Sequence, residues 1–312
     1  MNASVKSAKA AGMRVGMKQR LGFNFFDVFV YGFCILFALI CFYPLWYVLV
    51  VSVMPYDVYI HTNLVLLPSI PLDFQYYKAI FTSSIFKDSI FISFLITFLR
   101  TFLTVVVSAT MAYGVSKTNI KGMKLLNVLA VFTMFFGGGL IPTYFLYMDL
   151  GLLKTFWVQI IPFGFNVGQY VIMRNYFSYS VPQELEEAAR IDGANDFRIF
   201  FRIVLPLSKP MLAACSLFIA VAAWNDYSTY LMYCGKTEYQ PFVWVLRRLL
   251  TEATLADSIG SGPAGGAVNV PRIPAISLRM ATIICAMLPI MAVYPFLQKY
   301  FAKGILIGAV KE

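Results

Sequence analysis

The sequence contains little charge and almost no histidine. Asp, Glu, Lys and Arg make up 13% of the 312 residues, and His61 is the only histidine. Histidine-based metal sites and Ser-His-Asp catalysis therefore lack their parts. The five cysteines form no C-x-x-C pair and no framework spacing, so we expect free thiols.

A phosphate-binding loop is also lacking. Gly235-Lys236-Thr237 resembles the end of the G-x-x-x-x-G-K-[ST] pattern, but Tyr230 stands where the first glycine is required. We therefore expect no ATP hydrolysis, no cofactor and no metal on this chain. Glu184, Glu186 and Glu187 form an acidic cluster, which we interpret as favourable charge near a helix N-terminus rather than as catalytic carboxylates.

Apolar residues, in contrast, make up 60% of the chain, and the mean hydropathy is +0.73. Because about 20 apolar residues are needed to cross a bilayer as a helix, these values predict an all-α integral membrane protein. We predict six transmembrane helices, at about 28–51, 89–113, 125–148, 155–173, 209–232 and 275–297. The first is too long and too aromatic for a signal peptide, so we expect it to be retained.

The positions of the cations predict the orientation. Lys and Arg that flank short loops are retained on the cytoplasmic side, and 16 of them fall on one side of the six predicted spans against seven on the other. This places both termini and the loop at 174–210 in the cytoplasm. Since the net charge of +10 is spread along membrane flanks, we expect membrane lipids as partners and no nucleic acid.

The two large loops on the outer side differ in composition. The first, at 54–88, is rich in proline and aromatic residues and is expected to form a packed lobe. The second, at 235–274, opens with PFVWVLRRLLTEATL, whose apolar residues recur at helical spacing. We predict an interfacial or capping helix there, followed by a flexible glycine-rich segment.

Two features inside the predicted spans would be costly in lipid. Arg100 lies midway along the second span, where it forms a buried pair, snorkels toward the outer interface or lines a translocation pathway. Gly137-Gly138-Gly139, followed by Pro142, interrupts the third span. The glycines are either a hinge or a site of close helix packing.

Further polar residues near the spans are candidates for the same pathway. Asn166 and Gln169 could hydrogen-bond a neighbouring helix or a hydroxylated substrate. Trp224-Asn225-Asp226, with Tyr230 close behind, places polar groups beside aromatic rings. Such a mixture is typical of sugar sites, and equally of the aromatic belt at a membrane interface.

The most distinctive stretch runs from Gln183 to Pro210 and reads QELEEAARIDGANDFRIFFRIVLPLSKP. An acidic amphipathic run, a glycine at the turn, a second apolar run and a proline-framed exit are typical of a small helix that docks into a groove on a partner. Three of its segments resemble the EAA loop of ABC-importer permeases: Glu187-Ala188-Ala189, Asp192-Gly193-Ala194 and Ile203-Val204-Leu205-Pro206.

The resemblance extends over nearly the whole chain, from about Asn24 to Glu312. Besides the EAA loop it is carried by the glycine-rich stretch Phe136 to Thr155, the Trp224-Asn225-Asp226 triplet and the terminal stretch from Tyr294. On these motifs the chain resembles the permease subunits of carbohydrate-importing ABC transporters, in the maltose-type group and its polysaccharide-permease branch.

This resemblance implies a type I ABC importer permease fold in a bacterial cytoplasmic membrane. The segments would be a basic N-terminal segment (1–25), a first transmembrane helix (26–53), an outer lobe (54–88), a five-helix core (89–297) that includes a coupling loop (174–210) and an outer loop (235–274), and a cytoplasmic tail (298–312). The implied partners are a second homologous permease chain, two ATPase subunits that bind ATP and magnesium, and an extracellular solute-binding protein.

In such permeases the EAA loop forms a coupling helix seated in a cleft of the ATPase, and the tail, here Lys303 to Glu312, reaches toward the paired ATPases. Glu187 can meet a basic ATPase residue, the two alanines allow close approach, and Gly193 makes the turn. The coupling residues carried over onto this sequence are Glu187, Ala188, Ala189, Asp192, Gly193, Ala194, Phe200 and Pro206.

The function that the resemblance implies is ATP-driven sugar import by alternating access. The alternative is a secondary transporter or channel that works without ATP, which leaves the charged loop unexplained. An ion-coupled carrier needs acidic groups near the midplane, and Asp226 is the only real candidate. A membrane scaffold without cargo would leave the glycines and the two outer loops without a role.

Overall fold

The computed structural model describes residues 25–62, 65, 67–117, 120–259 and 275–308. The basic N-terminal segment up to residue 24, the glycine-rich part of the last outer loop at 260–274 and the end of the tail at 309–312 lie outside the described residues. Within the described residues every regular element is a helix, as the composition predicts. The chain divides into two compact units, residues 1–47 and 48–312.

The longer helices are numbered in chain order. They are α1 (Phe25–Ser52), α2 (Tyr56–His61), α3 (Gln75–Thr82), α4 (Ser84–Ser116), α5 (Met123–Phe135), α6 (Leu140–Asp149), α7 (Val167–Tyr179), α8 (Gln183–Ile191), α9 (Asp196–Leu207), α10 (Lys209–Asn225), α11 (Phe242–Ile259) and α12 (Ala275–Gly308). Short 3₁₀ turns lie at Phe156–Gln159, Ile161–Phe163 and Thr237–Tyr239, and π-helical turns at Phe200–Val204 and Tyr230–Cys234.

The described part of the first unit is α1 up to Tyr47. Its large apolar side chains are exposed along the helix, among them Phe29, Phe33 and Phe37. A helix that is apolar all round is suited to lipid rather than to water. The second unit contains all the other helices.

Two helices in the described residues, α1 and α4, are long and apolar enough to cross a membrane. A third span is present if α9 and α10, which meet at a bend of 79°, are taken as one. The bend falls at Ser208, between Pro206 and Pro210, and prolines cannot continue the backbone hydrogen bonds of a helix. The prediction of six continuous spans is therefore not confirmed.

The third predicted span, 125–148, is two helices, α5 and α6. They are separated at Gly137-Gly138-Gly139, where Gly139 has a φ of +82°. Glycine adopts this left-handed region without the clash that a Cβ would cause. The glycines therefore end one helix and begin the next, although each piece alone is shorter than a membrane span.

The fourth predicted span, 155–173, is wrong for half of its length. Residues 156–163 form two 3₁₀ turns, and α7 begins only at Val167, where the Asn166 side chain accepts a hydrogen bond from the Gln169 backbone N–H at 3.0 Å. The fifth span, 209–232, is likewise interrupted, because α10 ends at Asn225 and Asp226 is extended. Apolar composition does not reveal such breaks.

A line of hydroxyls on α4, the hydroxyl stripe of Ser93, Thr104 and Ser108, supports this irregular backbone. Thr104 donates to the Phe163 carbonyl at 2.6 Å, and Ser93 accepts the Phe242 backbone N–H at 2.7 Å. Ser108 accepts the Asn166 backbone N–H at 3.5 Å. Non-helical backbone is tolerated at membrane depth only where protein groups satisfy it, and α4 supplies those groups.

Two buried clusters lie toward opposite ends of α4. The first gathers side chains from α4, α7, α9 and α10, including Tyr113, Tyr170, Phe200 and Met211. The second gathers side chains from α3, α4, α10, α11 and α12, including Tyr76, Trp224 and Phe242. Because α4 contributes to both, it is the helix around which the second unit is packed.

Candidate functional site

The predicted coupling loop contains a short amphipathic helix, α8, that ends in a left-handed turn. Gly193 has a φ of +81°, its N–H donates to the Arg190 carbonyl at 3.0 Å, and the Ala194 N–H donates to the Ala189 carbonyl at 2.9 Å. These two bonds define a Schellman motif with glycine at the left-handed position. The D-G-A sequence therefore stops α8 and reverses the chain.

The chain then enters α9 through a second capping interaction. The Asn195 side chain accepts a hydrogen bond from the Arg198 backbone N–H at 2.9 Å, which satisfies a free donor of the first turn. Arg190 and Asp196 form an exposed ion pair at 2.9 Å across the turn. The loop is thus a helix-turn-helix with both sides of the turn capped.

One acid of α8 is buried against the end of α4. Glu186 is 4% exposed, and its carboxylate is paired with the Lys117 ammonium and accepts a hydrogen bond from the Tyr113 hydroxyl at 3.4 Å. The Lys117 ammonium also lies 4.7 Å from the centre of the Tyr113 ring. We call these three residues the Glu186 clamp.

An aromatic cluster surrounds the clamp. The Tyr113 ring lies 4.7 Å from that of Phe200 and 6.1 Å, edge-on, from that of Phe177. Phe200 itself is 6% exposed and belongs to the π-helical turn of α9. Side chains from α4, α7 and α9 therefore hold the Tyr113 ring in place.

Beside the clamp is a cavity of about 600 Å³. Its walls come from the end of α4 and from the coupling loop, and they carry both signs of charge. The lining residues that bear charge are Lys117, Glu186, Glu187, Arg190 and Asp196. An open, charged concavity of this kind is suited to polar side chains of a partner protein.

The structure brings the predicted coupling residues together on one loop but gives them different surroundings. The exposed ones are Glu187, Ala188, Asp192, Gly193 and Pro206; Ala189 and Ala194 are half-buried; Phe200 is buried. Glu187 forms no ion pair within the described residues. The clamp residues Tyr113 and Lys117 were not predicted from the sequence. The sequence signal for them was weak, because Lys117 is one of three lysines in the loop after the second span and nothing local pairs it with Glu186.

A second polar group, the Asp226 network, lies midway along α4. Arg100 donates to the Asp226 carboxylate at 2.8 Å, and the Arg100 guanidinium stacks 3.5 Å from the centre of the Phe163 ring. The carboxylate also accepts hydrogen bonds from Ser228 Oγ at 2.9 Å, Thr229 N–H at 3.1 Å and Thr229 Oγ at 2.6 Å. Asp226 thereby caps the helical turn that follows it, which explains why α10 ends there.

The other predicted pathway residues are dispersed. Trp224 is buried and donates its indole N–H to the Ala286 carbonyl at 3.1 Å. Tyr230 is buried and donates to the Lys236 carbonyl at 3.0 Å. Asn225 and Asn166 are exposed, and Gln169 is half-buried with an unpaired Oε1. Among these residues the structure joins Arg100 to Asp226 and, through the cap at the start of α7, Asn166 to Gln169.

A cation also lies over an aromatic ring next to this network. The guanidinium of Arg247, an exposed residue of α11, is 4.2 Å from the centre of the Tyr227 ring. Tyr227 is half-buried and directly follows Asp226. Together with the exposed Asn225, these residues present a guanidinium, an amide and an aromatic ring on the surface.

Comparison with known proteins gives consistent results. Residues 102–307 match the family described as binding-protein-dependent transport system inner membrane component. The chain is 39% identical over 300 residues to the polygalacturonan/rhamnogalacturonan transport system permease protein YtcP of Bacillus subtilis (strain 168), covering 95% of this chain and all of YtcP. It is 43% identical over 235 residues to protein LplC of the same organism, covering 75% of this chain and 78% of LplC.

A solved structure has a similar fold. It is the crystal structure of a bacterial ABC transporter involved in the import of the acidic polysaccharide alginate. The TM-score is 0.78 at 28% identity, and the match covers 88% of this chain and 96% of that one.

Proposed function

The chain belongs to the family of binding-protein-dependent transport system inner membrane components, and we propose that it is a permease subunit of an ATP-driven importer that moves an oligosaccharide across the membrane by alternating access. The observation that carries the proposal is the capped helix α8, which presents exposed coupling residues at the end of a membrane-spanning helix.

ATP hydrolysis would take place on two partner ATPase subunits, which hold ATP and magnesium. The exposed face of α8 is suited to a cleft on such a subunit because Ala188 allows close approach and the unpaired Glu187 carboxylate is available to a cation. A second permease chain would complete the pathway, and an extracellular binding protein would deliver the sugar. The cytoplasmic placement of the coupling loop and both termini is part of this proposal.

We propose an acidic oligosaccharide as the cargo. YtcP is named for polygalacturonan and rhamnogalacturonan. The similar solved structure is that of an ABC transporter involved in the import of alginate, an acidic polysaccharide. Arg247 and Asn225, beside Tyr227, offer a guanidinium and an amide of the kind that bind carboxylates and hydroxyls. A panel of charged and neutral oligosaccharides tests this choice of cargo.

The geometry of Asp226 supports this proposal over an ion-coupled carrier. A coupling carboxylate must bind and release its ion during each cycle, whereas Asp226 already accepts four hydrogen bonds from Arg100, Ser228 and Thr229. An ion would have to displace these donors. Uptake that persists without ATP would nevertheless favour the secondary transporter.

The test is ATPase activity of the complex reconstituted with its partner permease, ATPases and binding protein. We expect binding protein loaded with oligogalacturonate to stimulate hydrolysis, and Glu187→Ala and Gly193→Pro to reduce that stimulation while assembly is retained. Glu238→Gln, an exposed acid outside the loop, is the matched control. Hydrolysis that is unaffected by the loop variants would contradict the coupling role.

A further inference from the structure

We propose that the Glu186 clamp fastens the coupling helix α8 to the membrane-spanning helix α4, so that movement of α8 is transmitted to the rest of the permease. The inference rests on the proposed function and identifies Glu186, Lys117 and Tyr113 as its positioning residues. The carboxylate of Glu186 is the group on α8 that is both buried and paired with α4.

Neighbouring acids on α8 therefore have different roles. Successive residues of a helix point about 100° apart, so Glu186 faces α4 while Glu187 is exposed. The exposed acid is available to the ATPase, whereas the buried one holds α8 to the membrane domain. A force that the ATPase applies to the exposed face of α8 is therefore transmitted to α4 through Glu186 on the buried face.

The clamp connects α4 and α8 at a place where a cavity separates the two helices. The cavity of about 600 Å³ is lined by Thr110 and Gly114 of α4 on one side and by Gln183 and Arg190 of α8 on the other. The two helices are thus separated beside the clamp, and the ion pair spans that gap. Without it, α8 would remain attached through its chain connection to α7 and through the aromatic packing of Phe200.

Helix α4 is a suitable receiver of this motion. It is one helix of 33 residues, about 50 Å long. Further along, Arg100 binds Asp226 and Ser93 binds the start of α11. A displacement at Lys117 therefore reaches the Asp226 network and α11 through a single rigid element.

The experiment uses the full complex in liposomes. Lys117→Met and Glu186→Gln are compared with the charge swap Lys117→Glu/Glu186→Lys, and Lys124→Met, an exposed cation at the start of α5, is the matched control. Basal hydrolysis, its stimulation by oligogalacturonate-loaded binding protein, and sugar uptake are measured. A purely structural role would not separate basal from stimulated activity.

We expect both single variants to assemble and to retain basal hydrolysis while stimulation and uptake fall about tenfold, within the usual 5- to 150-fold range of coupling between sites. The charge swap should restore much of the loss, and Lys124→Met should behave like the native complex. Tyr113→Phe, which keeps the ring and removes the hydroxyl, should give a smaller loss of the same kind.

Several results would overturn the inference. Single variants with native stimulation would show that the clamp transmits nothing. A swap that restores assembly without restoring stimulation would reduce the clamp to a structural contact, as would singles that fail to assemble and are not rescued. A native complex that none of the sugars in the panel stimulates would contradict the proposed function itself, and the clamp with it.

Discussion

Helix α4 carries two buried ion pairs that are built differently. In the Asp226 network the carboxylate accepts hydrogen bonds from Arg100, Ser228 and Thr229, and the two charged side chains are 11% and 14% exposed. In the Glu186 clamp the carboxylate is paired with Lys117 and accepts a long hydrogen bond from Tyr113, and the Lys117 and Glu186 side chains are 22% and 6% exposed.

The two pairs therefore differ in how completely the carboxylate is hydrogen-bonded and in how far water can reach the cation. A fully satisfied buried network has one low-energy arrangement, because any displacement leaves a charge without its partners. Breaking the Glu186 clamp should cost less, because its carboxylate has fewer partners and water can hydrate the half-buried Lys117 ammonium. The Asp226 network is suited to holding irregular backbone in place, and the Glu186 clamp to a contact that is loaded during each cycle.

The largest effect should come from Asp226→Ala. Removing one partner of a buried pair typically costs about 3–5 kcal/mol, and this change also removes the cap of the following turn. Thermal unfolding of the purified complex in detergent should show a much greater loss for Asp226→Ala than for Glu186→Ala. Asp226→Asn should lie between them because its side chain still accepts from Thr229. Equal losses would remove the distinction between the two pairs.

Gly164→Ala should have the next largest effect, because it loosens the backbone beside the Asp226 network. A Cβ at this position would lie 3.1 Å from Leu103 Cδ2 and 3.2 Å from the Ile161 carbonyl oxygen. Overpacking of this kind costs about 1–3 kcal/mol. Gly32→Ala, where no atom lies within 4 Å, is the control in the same unfolding assay. If both alanines are tolerated equally, the close approach is unimportant.

Gly193→Ala should cost about 1 kcal/mol, since it places a Cβ in the left-handed region that the Schellman motif requires. No neighbouring atom lies within 4 Å of that Cβ, so the penalty is one of backbone conformation alone. Gly193→Asn should therefore be better tolerated than Gly193→Ala, because asparagine visits this region more readily. The measurement is the thermal unfolding midpoint of each variant. A lower midpoint for Gly193→Asn than for Gly193→Ala would contradict the expectation.

The smallest effect is expected for Asp196→Asn. The Arg190–Asp196 pair lies in the same loop as the clamp, but its side chains are 50% and 70% exposed. Exposed pairs contribute about 0.2–1 kcal/mol, and salt screens them. Unfolding measured at low and high salt should show a small, salt-sensitive loss for Asp196→Asn. A loss as large as that of Glu186→Ala would mean that burial does not separate the pairs.

Composition and motifs predicted the all-helical class of the fold and the helix-turn-helix formed by α8 and α9. Helix α4 is mostly apolar and contains no proline, so its span was predicted to within about five residues at each end. The D-G-A turn was also predicted correctly, because Gly193 is needed for a left-handed position that few other residues adopt.

The breaks in the membrane segments were predicted only in part: the sequence indicated the one at Gly137-Gly138-Gly139, but not those at 156–166 and at Asp226. Residues 156–166 are mostly apolar, but Pro162 and Gly164 disfavour a continuous helix there. Thr104 and Ser108, about 60 positions earlier in the chain, then bind the irregular backbone. The Glu186 clamp is tertiary too, since Lys117 and Glu186 are 69 residues apart. Local patterns contain no information on such pairings.

The hydroxyl stripe has a consequence for how the chain is made. Chains are synthesised from the N-terminus, so α4 leaves the ribosome before residues 156–166 and 242 do. The three hydroxyls are thus already in place when the backbone that needs them arrives. The order of the sequence therefore places the hydrogen-bonding partners on an early helix and the irregular segments that bind them later in the chain.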